Sequence, residues 1–153
     1  MTAFHIAQFN IVKLKAPLDD PAMAGFTGRL DEIGILADNS PGFVWRLQTE
    51  EDDSPVMREF EEAGILVNMS VWKSLALLHH YVYKSMHREL LRDKQLWADK
   101  MTEAHMVLWW ISAGEIPRLA EAKRRLDRLN ASGPGPEAFT FTKPFPPPGS
   151  DVH

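Results

Sequence analysis

The stretch Ile65 to Ile111, ILVNMSVWKSLALLHHYVYKSMHRELLRDKQLWADKMTEAHMVLWWI, constrains this chain more than any other. Its two ends are apolar runs of strand length, and its middle repeats apolar residues at intervals of three and four. Wound as a helix, Leu75, Leu78, Val82, Met86, Leu90 and Trp97 fall within a sector about 120° wide, wide enough for a core-facing stripe. A long helix between two buried strands must lie on a sheet, and the first 50 residues supply the other strands. The segment also holds four of the five tryptophans and four of the six histidines. Aromatic walls and titratable groups therefore meet between sheet and helix, an arrangement shaped like a pocket.

Phe4 to Leu14 is apolar on both alternating faces, with Gln8 and Asn10 among the apolar residues. Such a strand is covered on both sides. Asp20 and Pro21 then suit the start of a helix whose apolar positions are Met23, Phe26, Leu30, Ile33 and Ala37. Asn39-Ser40-Pro41-Gly42 stops it. Phe43 to Thr49 reads as the second strand, with Phe43, Trp45 and Leu47 on one face, and Ile65 to Trp72 as the third. Strands two and three pair as an antiparallel hairpin across a long acidic loop with a short helical turn near Val56 to Glu61. The long helix runs from about Ser74 to Lys100, the fourth strand from His105 to Ile111, and a last helix from Arg118 to Leu129.

The order β-α-β-β-α-β predicts a ferredoxin-like α+β domain with a four-stranded antiparallel sheet over residues 1–130, its last helix included. Residues 131–153 form a Pro-rich extended arm whose Phe139, Phe141 and Phe145 are too apolar to float free. Two helices cover only one face of such a sheet, so a second copy packed face to face supplies the other cover, giving a homodimeric α+β barrel.

At 153 residues the chain suits one domain. A net charge of −4 argues against a general nucleic-acid binder, and Arg118, Lys123, Arg124, Arg125 and Arg128 read as a solvated helix face. The absence of cysteine excludes disulfides, thiolate nucleophiles and Cys-ligated metals. No secretory signal and no apolar run of membrane-spanning length is visible, so a cytoplasmic location without membrane partners is expected. Phosphate-cradling glycine loops, dinucleotide fingerprints and Ser-His-Asp patterns are also missing.

Several residues carry possible chemistry. His87, at the edge of the helical stripe, is a general base, a haem ligand or a satisfied boundary histidine. Tyr83, one turn away, either orients it, bonds a substrate oxygen or is simply buried with its hydroxyl satisfied. Asn10 and Asn68 stand on strands where an apolar residue packs better, so each amide faces a partner, a water or a ligand. Trp72, Met86 and Trp110 supply apolar walls for an aromatic ligand or fill the core. Adjacent Trp109 and Trp110 point to opposite sheet faces. His79 and His80 diverge by about 100° on a helix and make a poor metal pair, so no metal is expected.

The block SVWKSLALLHHYVYKSMH, with AQFNIVKLKAPLDDP before it and VLWWISAG and PEAFTFTKPFP after it, resembles a bacterial family of uncharacterised proteins in the dimeric α+β barrel superfamily. Within that superfamily, Trp72-x-Ser74 followed by an amphipathic helix bearing His87 is similar to the antibiotic-biosynthesis monooxygenases. The resemblance implies a small cofactor-independent oxygenase acting on a hydrophobic, aromatic small molecule. His87, Tyr83 and Asn10 are then the catalytic set, and Trp72, Asn68, Met86 and Trp110 contact substrate. Haem-degrading relatives use an asparagine on the first strand, a tryptophan and a helical histidine, which Asn10, Trp72 and His87 match by element and residue type. Haem is thus the alternative cofactor, and a non-catalytic ligand-binding or structural dimer the alternative function.

Overall fold

The computed structural model describes residues 3–15, 21, 34–48, 54–82 and 105–148. Within them lie four strands, β1 (Phe4–Lys13), β2 (Phe43–Arg46), β3 (Ile65–Trp72) and β4 (Met106–Ser112). Four helices accompany them: α1 (34–38), α2 (Pro55–Glu62), α3 (Leu75–His80) and α4 (Leu119–Ser132). The strands form one sheet in the order β2-β3-β1-β4, with every neighbouring pair antiparallel. The chain is thus an α+β protein built on a four-stranded antiparallel sheet.

Local chemistry explains where the elements begin. Ser54 Oγ accepts from Met57 N at 3.2 Å with Pro55 entering the first turn, which starts α2. Ser74 Oγ accepts from Leu77 N at 3.1 Å and starts α3 directly after β3. Gly42, at φ 84°, turns the chain into β2 against α3, where an added Cβ would stand 2.5 Å from Leu77 Cδ1.

Each sheet face has its own core. Ala7, Phe9, Val67, Met69, Val71, Val107 and Trp109 point to one face, where Met57 and Phe60 of α2 and Leu119, Ala122, Leu126 and Leu129 of α4 cover them. Ile6, Trp72 and Leu108 point to the other, against Ala37 of α1, Leu78 of α3, Tyr81, Val82 and Phe139. Both faces are therefore covered within a single chain. This corrects the premise that two helices leave one face of the sheet bare, from which the expectation of face-to-face pairing was drawn. The α2 and α4 segments, read from sequence as a loop turn and an appendage, occupy that surface, and Phe9, Val107 and Trp109 are already at most 1% exposed.

A second correction concerns β2. Its pairing with β3 shifts register between Phe43 and Trp45, a bulge that advances the alternation by one residue. Phe43 packs with Trp72, whereas Trp45 and Leu47 pack on the opposite core. The strand is also shorter than the expected Phe43 to Thr49.

The C-terminal arm lies along the outer edge of β4. Leu108 and Phe139 exchange two backbone hydrogen bonds, at 2.8 and 2.9 Å. The Phe139 side chain is fully buried, and Phe141 and Phe145 pack partly buried beside it. The edge strand is blunted there by the chain itself.

Candidate functional site

On the sheet face beneath α1 and α3, an otherwise apolar surface carries a patch of neutral polar side chains. Register puts Gln8 opposite Ser70 and Asn10 opposite Asn68, with Leu108 and Met106 on the far side of β1. Gln8 Nε2 donates to Asn68 Oδ1 at 2.7 Å and to Ser70 Oγ at 2.9 Å. Trp72 Nε1 donates to the same Ser70 Oγ at 2.9 Å. Gln8 and Ser70 are both 5% exposed, so these bonds compensate groups that have left water. Asn10 Oδ1 is buried too, and it has no hydrogen-bond partner among the described residues.

Beyond Ser70, Arg46 is its cross-strand partner on β2, and the Arg46 guanidinium bonds Asp38 at 2.8 Å. Tyr81 stacks on Trp72, with ring centroids 4.7 Å apart and planes at 29°, while Phe43 meets Trp72 edge-on. Burial pushes the Tyr81 hydroxyl up to about 12, with the Arg46 charge drawing it down and the Asp38 charge raising it. The phenol remains neutral at any ordinary pH.

The structure sorts the residues expected from sequence. Asn10 and Asn68 come together as cross-strand partners on one face, as an amide pair. Trp72 lies on that face but is completely buried by Tyr81, Phe43 and Leu78, so it is floor beneath the core and presents no surface to a ligand. Trp110 is half-buried under the arm, its Nε1 donating to the Phe145 carbonyl at 2.8 Å. Trp109 faces the opposite core, with the Arg125 guanidinium 5.3 Å over its ring. His87, Tyr83 and Met86 lie outside the described residues.

Sequence reasoning passed over Gln8, Ser70 and Tyr81. Gln8 shares its sheet face with Asn10, and Ser70 shares one with Asn68, a period of two that was legible. Tyr81 follows Leu78 by three residues, the helical spacing that marks the buried side. The basic residues of α4 are largely paired within the chain, Lys123 with Asp127, Arg125 with Glu121 and Arg128 with Glu137. Among the described residues, no three His, Asp or Glu side chains converge as a metal site, and no helix is long and apolar enough to cross a membrane.

Fold and site together define an α+β domain whose sheet carries a partly buried row of amide and hydroxyl side chains on one face. The chain belongs to the DUF3291 family, a domain of unknown function whose family model matches residues 5–153. No curated protein matches it. Among solved structures it is similar to NE2512, a protein of unknown function from Nitrosomonas europaea, at 11% identity and a TM-score of 0.48. That similarity covers 77% of this chain and 99% of NE2512.

Proposed function

We propose that the protein is a small enzyme that binds a hydrophobic, aromatic molecule against the Gln8–Asn10–Asn68–Ser70 row and oxidises it with dioxygen, without a cofactor. The observation that carries this reading is the buried Asn10 Oδ1, which has no hydrogen-bond partner among the described residues. A polar atom held out of water without a partner is costly, and such atoms concentrate where a ligand completes them. The strand order β2-β3-β1-β4 supports the ferredoxin-like arrangement, in which the helix following β3 crosses this sheet face. The sequence that follows Leu75–His80 carries Tyr83 and His87, which this reading assigns as orienting group and base.

In such chemistry the base removes a proton from carbon beside a carbonyl or phenol, and the carbanion reduces dioxygen to a bound hydroperoxide. Loss of water then leaves a new carbonyl, so a CH₂ group and O₂ become C=O and H₂O. The protein's part is to hold the substrate oxygen by hydrogen bonds, exclude water and take the proton. Neutral amides suit the first task because they bind oxygen without fixing charge beside the developing anion.

Oxygen uptake with a panel of hydroxylated aromatic ketones and quinols tests the reading. Uptake by the purified protein, lost in both His87→Ala and Asn10→Leu, is the expected result. A Soret band on haem addition that disappears in His87→Ala would replace it with haem binding. Saturable binding of the panel without oxygen consumption would replace it with a non-catalytic binding protein.

A further inference from the structure

We infer that the polar row selects a neutral head group that carries a hydrogen-bond donor beside an oxygen acceptor, and discriminates against anions. The inference rests on the reading of this row as a ligand site and names the ligand chemistry it takes. It follows from counting protons and lone pairs. Both hydrogens of Gln8 Nε2 are committed, one to Asn68 Oδ1 and one to Ser70 Oγ. Ser70 Oγ receives a second donor, Trp72 Nε1, so both of its lone pairs are filled. Its own O–H proton therefore has to be given away. Asn10 Oδ1, diagonally across the β1–β3 ladder from Ser70, is the opposite case, a buried acceptor without a donor among the described residues. Beside the Asn10 and Asn68 amide N–H groups, the row thus offers the Ser70 hydroxyl proton and the Asn10 carbonyl oxygen from neighbouring strands, oriented by a chain of bonds anchored on a fully buried tryptophan.

Charge points the same way. Every side chain in the row is neutral, and the nearby guanidinium of Arg46 is held by Asp38 at 2.8 Å. A carboxylate offered to Asn10 Oδ1 would set acceptor against acceptor and leave the anion without a countercharge. A primary amide or a hydroxy-ketone satisfies both positions. Met106, half-buried and directly across β1 from Asn10, supplies an adaptable apolar surface for the body attached to that head.

Three probes of one shape separate the possibilities: benzamide, with donor and acceptor; acetophenone, with acceptor only; and benzoate, an anion without a donor. Each is titrated into the full-length wild-type protein at neutral pH, reading the side-chain amide resonances of Asn10 and Asn68. Benzamide is expected to shift both with a dissociation constant of roughly 1 mM, a free energy of about 4 kcal/mol. Acetophenone and benzoate are expected to bind about tenfold more weakly, because each leaves a buried partner unpaired. In Ser70→Ala the preference for benzamide over acetophenone should persist, since Asn10 still rejects the donorless probe, while affinity for both falls. Equal or tighter binding of benzoate or acetophenone to the wild type overturns the selectivity and leaves the site reading intact. Absence of any shift with all three probes up to about 10 mM overturns the site reading itself.

Discussion

At the scale of single residues, two side chains make opposite statements about stability. Asn10 carries a buried carbonyl oxygen without a partner among the described residues, a group whose desolvation costs about 1 to 3 kcal/mol. Asn10→Leu removes that liability and extends the apolar row of Met106 and Leu108. The denaturation midpoint should stay level or rise, while binding at the site is lost. A clear drop in the midpoint would make Asn10 a structural residue. Tyr81 gives a pH signature instead. Its folded-state value of about 12 lies above the usual 10, so below pH 10 both folded and unfolded chains hold the proton and nothing changes. Between 10 and about 12 the unfolded chain ionises first, so stability falls with rising pH across that window. Tyr81→Phe should flatten this alkaline limb when unfolding free energy is compared at several pH values. The site was half legible at this scale. An amide inside an apolar strand announces itself, as Asn10 and Asn68 do, but which polar groups satisfy one another depends on register. Trp72 Nε1 meeting Gln8 Nε2 on a single serine oxygen is a fact of the β1–β3 ladder, and no spacing within one strand contains it.

At the scale of elements, periodicity located β1, β3, β4 and α4 to within a few residues because each has an unbroken apolar rhythm, and the short helical turn expected near Val56 to Glu61 is α2. It misread β2, where the bulge between Phe43 and Trp45 breaks the alternation on which the reading depended. The arm shows the same logic from the other side. Its alternating phenylalanines predicted one buried side, and Phe139 is indeed fully buried, bonded through its backbone to Leu108. Phe139→Ala should cost about 3 to 5 kcal/mol, which for a domain of this size lowers the melting temperature by roughly 6 to 20 °C. Thr142→Ala, at an exposed position of the same arm, should change it by less than about 2 °C. Calorimetry on the two variants separates an arm that is part of the core from one that merely rests on it. Equal effects would mean that the buried contact carries no weight.

At the scale of the whole molecule, the sheet resolves a problem that its sequence posed. Strands apolar on both faces demand two covers, and the reading from sequence supplied the second with another copy of the chain. The premise that one face lacks cover within the chain does not hold, because α2, a short helix inside a hairpin connection, and α4, past the last strand, were not assigned to a face. Their hydrophobic positions show amphipathicity, but not the side of the sheet on which they land. Met57 and Phe60 meet Phe9 and Val67, and Leu126 and Leu129 join Val107 and Trp109, in one continuous core. Leu129→Ala therefore truncates an intramolecular core and should destabilise by about 2 to 5 kcal/mol. Because this core closes within one chain, the loss should be the same at micromolar protein and at a hundredfold higher concentration. A face-to-face dimer behaves otherwise, since mass action makes its stability rise with concentration and a truncated interface deepens that dependence. Denaturant midpoints measured at both concentrations decide the matter. A penalty for Leu129→Ala that shrinks as the protein is concentrated would restore the second copy to this face.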